Sequence, residues 1–270
     1  MPTQEHVAIS ADGFPIHYDV HGTGVPALVF VHGWCCDRHY WDGQVRYFAP
    51  RYTVVCLDLA GHGASGHDRT QWTVPAFGQD IVAVVEQLGL EQVVLIGHSI
   101  GGQWIIEAAR HLPRSVIGVV GADARAWQSV EETLTPAQVA ETMAPFRAHF
   151  LEAMRTFVQG TFVSTSDPTL VEHVIRGMSA APPHIAIRVR EEGLGNSRNL
   201  QAGLQEVTAS KIAINAESWH PTNMTAMQRY GIEVVQMSEV GHFVMLEDPQ
   251  TFNRLLDEAV QKCIHARARQ

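Results

Sequence analysis

A chain of 270 residues, 46% hydrophobic and 17% charged, has the make-up of one sizeable globular domain built around a buried sheet. Its formal net charge is −9, with scattered lysines and arginines, which excludes nucleic acid and anionic membrane as expected partners because both require clustered cations. Cys35, Cys36, Cys56 and Cys263 have neither zinc-type spacing nor the layout of a disulfide framework, so reduced thiols in a cytoplasmic protein are expected. That expectation agrees with a start, Met1 to Glu5, without a signal-peptide pattern, and with the absence of an apolar run long enough to span a bilayer.

In chain order, Val7–Ser10 and Pro15–Val20 read as strands flanking Asp12-Gly13, a strong hairpin signal. The wholly apolar run Ala27–Val31 reads as a strand buried on both faces. Further strands are expected at Tyr52–Leu57, Gln92–Ile96, Ser115–Val120, Lys211–Asn215 and Glu233–Met237. Val74 to Leu88 carries Phe77, Ile81, Val84, Val85 and Leu88 at helical spacing and stops at Gly89. Strands alternating with helices predict an α/β fold: a mostly parallel central sheet with helices on both faces.

Residues 124–208 break this rhythm. They hold no convincing strand but several helical stretches, one opened by Thr135-Pro136, one through Phe150, Leu151, Met154 and Phe157, and one after Ser166-Asp167-Pro168. A single crossover does not need so many residues, so this segment is expected to be a helical lid inserted before the penultimate strand. Residues 1–123 and 209–270 then form the core. The last basic stretch, His265 to Arg269, reads as a solvated tail, and no pattern specifies an oligomeric state.

Chemistry concentrates in three places. Gly97-His98-Ser99-Ile100-Gly101 stands directly between a buried strand and a helix pattern, the context that makes G-x-S-x-G a nucleophile elbow. A sharp turn there lifts the Ser99 hydroxyl above the sheet, and close backbone approach leaves room only for glycine on either side. His32-Gly33-Trp34 follows the strand ending at Val31. Acyl transfer requires two backbone N–H groups for the oxyanion, and Ile100 and Trp34 stand where those donors belong. Gly241-His242-Phe243 follows the last strand, which suits a proton-shuttling histidine placed late in the chain.

Together with Asp58 to Ser65 and Glu247-Asp248-Pro249, these motifs make the chain resemble a small, lidded serine esterase of the α/β-hydrolase fold over nearly its whole length. The resemblance gives Asp58 and its glycines a structural turn. Similar proteins carry the triad acid after the penultimate strand, but here Trp219 falls at that register and Glu217 two positions before it. Asp123 ends an apolar strand, where an unpaired carboxylate is costly to bury, and some branches of the family use that position. Asp123 is therefore favoured over Glu217 as the partner of His242.

The resemblance implies cleavage of a carboxylic ester, thioester or lactone of a small, largely apolar substrate through an acyl-enzyme, with no metal or organic cofactor. Trp34, Cys36, Trp127 and Phe150 are expected to line the substrate pocket, although Trp127 and Phe150 at helical spacing serve equally well as lid core. The chain also resembles the cofactor-independent dioxygenases that cleave 3-hydroxy-4-quinolones, in which the histidine acts as base toward the substrate. Gly33-Trp34-Cys35 and Asp123 carry this second likeness. Cys36 and Ile100 stand where that family has histidines.

Overall fold

The computed structural model describes residues 5–219 and 221–269. Eight strands form one sheet: β1 (Glu5–Ile9), β2 (Pro15–His21), β3 (Ala27–Val31), β4 (Thr53–Leu57), β5 (Val93–His98), β6 (Val116–Ala122), β7 (Ser210–Ala216) and β8 (Ile232–Met237). Their spatial order is β1-β2-β4-β3-β5-β6-β7-β8. β2 runs antiparallel to both its neighbours, and every pairing from β4 to β8 is parallel. Each strand lies within two residues of the run that predicted it.

The predicted hairpin closes where Ser10 N–H donates to the Phe14 carbonyl (2.8 Å) and Gly13 N–H to that of Ser10 (2.8 Å). Gly13 turns there at φ +84°, a conformation open to glycine. β3, β5 and β6 are buried along their whole length, as strands covered on both faces must be.

Helices α1 (Asp42–Phe48), α2 (Val74–Gln87) and α3 (Gly101–His111) connect the first six strands. Between β6 and β7 lie six helices and, among the described residues, no strand: α4 (Arg125–Gln128), α5 (Pro136–Ala148), α6 (Phe150–Gln159), α7 (Pro168–Ser179), α8 (Pro183–Gly195) and α9 (Ser197–Glu206). The Thr135 start is a capping box, with the Thr135 hydroxyl and the Gln138 side chain satisfying each other's backbone N–H groups. The start after Ser166 is capped by Asp167, whose carboxylate accepts from Thr169 N–H.

Three helices complete the chain: α10 (Met224–Arg229), α11 (Val244–Glu247) and α12 (Pro249–Arg267). His265 and Arg267, expected in a tail, are instead exposed residues in the last turn of α12. The Arg267 cation there complements the negative helix end, and the apolar face of α12 (Phe252, Leu256, Val260, Cys263) seats the helix on the core. No helix among the described residues is long and apolar enough to cross a membrane.

The parallel strands bring Trp34, Ser99, Asp123, Glu217 and His242 to one edge of the sheet, because each lies in the loop after a strand's carboxyl end.

Candidate active site

The turn from β5 into α3 places Ser99 at φ +55°, a strained conformation for a residue with a side chain. Ser99 N–H donates to the Ala122 carbonyl of β6 (3.1 Å) and Gly102 N–H to the Ser99 carbonyl (3.1 Å), which hold the turn. A Cβ on Gly97 would meet the Gly101 carbonyl oxygen at 2.6 Å, and one on Gly101 the His32 carbonyl oxygen at 2.6 Å. The flanking glycines are therefore required by backbone packing, as the motif implied.

His242 follows β8 and presents both ring nitrogens to partners. Nε2 lies 2.8 Å from Ser99 Oγ, and Nδ1 lies 2.6 Å from Asp123 Oδ2. Asp123 is fully buried at φ +43°. Its other oxygen accepts from Gln128 Nε2 (2.7 Å) and Ala216 N–H (3.0 Å), so the carboxylate is clamped from α4 and β7 at once. Burial, and after it the charges of Arg190 and Arg125, push His242 down to about 3. The imidazole is thus neutral at pH 7. With Nδ1–H donated to Asp123, Nε2 is the acceptor for the Ser99 hydroxyl proton.

The loop after β3 is fastened by His32. Leu59 N–H donates to its Nε2 (3.1 Å), so Nδ1 carries the proton and donates to the Gly33 carbonyl (2.8 Å). Gly33 abuts the elbow: a Cβ there would come within 2.7 Å of His98 Nδ1 and 3.2 Å of Ser99 Cβ. His98 itself is buried, pushed down to about 3 chiefly by that burial, and its Nε2 meets the His242 carbonyl at 3.1 Å. Among the described residues, the amides of Trp34 and Ile100 donate to no protein acceptor. Ile100 is the N-cap of α3, so its N–H stands at the positive end of that helix.

A cavity of about 160 Å³ opens beside this cluster, with Ser99, Ile100, Gln103, Arg125, Arg190 and Leu194 on its wall. The pocket residues expected from the sequence lie elsewhere. Trp127 is fully buried, packed against Gly121, with its indole N–H donated to the Gly102 carbonyl (3.1 Å). Phe150 is buried beside Phe146 in the packing of α5 on α6. Cys36 is buried and turns its thiol to the Trp34 carbonyl (3.4 Å). The Trp34 indole donates to the Ala186 carbonyl (2.8 Å) and packs edge-on to Phe146 and Phe157, which ties this loop to α8 rather than lining the cavity. Each of these side chains is taken up by protein packing.

Residues 26–176, more than half of the chain, match the family model described as alpha/beta hydrolase fold. The chain belongs to that family. Over 94% of its length it is 27% identical to 3-oxoadipate enol-lactonase 2 of Acinetobacter baylyi, covering 96% of that protein. A non-heme haloperoxidase of Rhodococcus erythropolis is 38% identical over 41% of this chain, which spans only 39% of that relative. Among solved structures, an esterase from Exiguobacterium antarcticum superposes with a TM-score of 0.85 over 96% of this chain and 100% of its own, at 20% identity, a likeness of fold alone.

Within this α/β-hydrolase fold, the turn at Asp58 has the structural role expected of it. Its carboxylate accepts from Arg38 N–H (2.7 Å), the Arg38 guanidinium (2.5 Å) and Ala64 N–H (2.8 Å). Glu217 is exposed beyond β7, its N–H donated to the Met237 carbonyl (2.9 Å), whereas Trp219 lays its ring on the imidazole, centroids 4.1 Å apart. Its indole N–H donates to the Gly160 carbonyl (2.9 Å), and Arg125 lies over its ring at 5.6 Å. The position that commonly carries the family's acid therefore carries a flat wall for the histidine.

Arg125, Arg190 and Trp219 were missed as site residues by sequence reasoning. The available signal for Arg190 was a cation beside the apolar stripe Ile185, Ala186, Val189 of its helix. Among the described residues, no group of three or more His, Cys, Asp and Glu side chains gathers where a metal ion could be held.

Proposed function

We propose that this protein is a serine hydrolase that cleaves a small carboxylic ester or lactone through an acyl-enzyme. The observation that carries the proposal is the unbroken relay Ser99 Oγ, His242 Nε2, His242 Nδ1, Asp123 Oδ2, with spacings of 2.8 and 2.6 Å. The full-length likeness to an enol-lactonase agrees with it.

In this reading Ser99 Oγ attacks the substrate carbonyl while its proton passes to His242 Nε2. The carbonyl oxygen becomes an oxyanion facing the amides of Ile100 and Trp34, a contribution of about 10²–10³ in rate per donor in comparable sites. Collapse breaks the bond to the leaving oxygen, which takes the proton from His242. Water then repeats the sequence on the acyl-enzyme and frees Ser99. Asp123 holds the imidazole tautomer and stabilises the imidazolium formed in both halves. Residues 1–123 and 209–270 serve as the catalytic core and 124–208 as its cap. The chemistry calls for no metal or organic cofactor, and no observation favours the dioxygenase alternative.

The test combines hydrolysis of 4-nitrophenyl acetate and butyrate with covalent labelling by an alkyl fluorophosphonate. The expected result is turnover, one label per chain on the peptide containing Ser99, and loss of both in Ser99→Ala. Absence of labelling in the folded wild-type protein overturns the reading.

A further inference from the structure

The cavity beside Ser99 contains two guanidinium groups, Arg125 and Arg190, that no carboxylate among the described residues pairs. Arg190 Nε is sealed from solvent without a hydrogen-bond partner. The rest of its head rests on two aromatic faces, 4.4 Å above Trp34 and 4.3 Å above Phe157. Those rings orient the cation but accept none of its N–H groups. Arg190 is half-buried and Arg125 exposed. A sealed donor such as Arg190 Nε is costly to leave unbonded unless a partner arrives, and the cavity that Arg190 lines reaches the nucleophile.

From this geometry we infer that the substrate carries a carboxylate, set a few carbons from the scissile carbonyl and received by Arg190 with Arg125. The inference deepens the hydrolase reading and rests on it. A planar fork of N–H donors is the group best matched to a carboxylate, which it can hold through two parallel bonds. The cavity, about 160 Å³, is small against the ~300–1,000 Å³ of drug-sized ligand pockets, which suits a short acyl chain with a charged end. Glu132, also on the wall, is exposed at the rim and acts on Arg125, not on Arg190. Arg190 is the less compensated of the two and the principal anchor.

The same two charges oppose catalysis on a neutral substrate. Both disfavour the protonated form of His242, and that form must arise in acylation and again in deacylation. A substrate carboxylate on Arg190 cancels part of this opposition at the moment the imidazolium forms. The anion therefore aids chemistry as well as binding, and the preference belongs in kcat as well as KM.

The experiment compares mono-4-nitrophenyl adipate with 4-nitrophenyl hexanoate, which share chain length and leaving group and differ in the terminal carboxylate. The wild-type enzyme is expected to favour the adipate ester at least tenfold in kcat/KM. Arg190→Met, which keeps an apolar stem against Trp34 and Phe157, should bring the ratio to about one, and Arg125→Gln should lower it severalfold. A merely structural arginine would scale both esters alike. A second readout needs no turnover: hexanoate, but not hexanamide, should protect Ser99 from fluorophosphonate, and Arg190→Met should abolish that protection. Equal or better use of the neutral ester by the wild type, or equal protection by acid and amide, overturns the carboxylate site and leaves the hydrolase standing. Failure of Ser99 to label at all removes both.

Discussion

Replacing Asp123 by asparagine keeps the shape of the clamp and reverses one donor. The amide oxygen can still accept from Gln128 Nε2 and Ala216 N–H, now at 2.7 and 3.0 Å. The amide nitrogen then faces His242 Nδ1, which at present lies 2.6 Å from Asp123 Oδ2. Two donors cannot face each other, so the imidazole must move its proton to Nε2. Nε2 then has no lone pair for the Ser99 hydroxyl, and the imidazolium loses the carboxylate that stabilises it. The expected loss is three to four orders of magnitude in kcat, about 4–5 kcal/mol of transition-state stabilisation, with little change in KM. Stability should fall by only about 1–2 kcal/mol, since the buried acceptor remains bonded. Steady-state hydrolysis of 4-nitrophenyl butyrate, beside urea unfolding of the same preparation, reads both quantities. Glu217→Gln, exposed and off the relay, should cost no more than about tenfold. If Asp123→Asn retains a tenth of wild-type kcat while Glu217→Gln is crippled, the assignment of the acid is wrong.

Gly33→Ala should lower kcat by about two orders of magnitude, because the added Cβ would sit 2.7 Å from His98 Nδ1 and must push the Trp34 amide off the oxyanion position; unchanged kinetics would show that this amide is not a donor. Trp219→Ala should lower kcat several-fold and Trp219→Phe restore most of it, since a flat wall 4.1 Å from the imidazole is what the position provides; a Phe variant as poor as the Ala one would place the function in the indole N–H instead. His62, His98 and His242 are buried and each is held down to about 3. Such groups stabilise the fold fully above the unfolded pKa near 6.5 and lose that contribution as pH falls toward 3, each costing about 2 kcal/mol by pH 5. The urea midpoint should therefore drop steeply between pH 7 and pH 5, and a flat midpoint over that range would refute the burial argument. The acid limb of kcat/KM for a neutral ester should for the same reason lie below pH 6.5, and a limb above it would mean that His242 is not the base.

The sheet was legible because its strands are short apolar runs set off by turn residues, and a buried parallel strand admits little else. Ser99 and Asp123 of the candidate site were legible for a related reason: each directly follows a strand, so the register of the sheet fixes its place, whereas His242 lies in the loop beyond β8 and was marked by its glycine and its place late in the chain. Asp123 N–H donates to the Ile214 carbonyl (2.8 Å), continuing the β6–β7 pairing one residue past the last registered pair, Ala122 with Ile214. The pocket was not legible. Helical spacing marks Trp127 and Phe150 as facing something apolar but does not distinguish a cavity from a neighbouring helix, and in both cases the neighbour is protein. Arg190 was invisible for the opposite reason. A cation beside an apolar stripe usually reaches past it to water, and only the Trp34 and Phe157 rings, distant in sequence, show that this one turns its head onto them.

Those rings also explain why the inserted helices cannot be regarded as a loose cover. The segment between α6 and α7 accepts His242 N–H at the Thr161 carbonyl (2.7 Å) and the Trp219 indole at the Gly160 carbonyl (2.9 Å). A Cβ on Gly241 would strike the same Thr161 carbonyl oxygen at 2.2 Å, so the histidine loop and the insertion are in backbone contact. On the other side, the Trp34 indole holds the Ala186 carbonyl of α8, four residues before Arg190. The insertion therefore grips the His242 loop at one end and the Trp34 loop at the other, and carries Arg190 between them. A displacement of α8 that withdrew the guanidinium from the cavity would pull on the loop that carries the Trp34 amide. In this architecture the group proposed to recognise the substrate and the group proposed to hold its oxyanion share one mechanical connection, so substitutions along the Trp34–Ala186 contact should disturb both together.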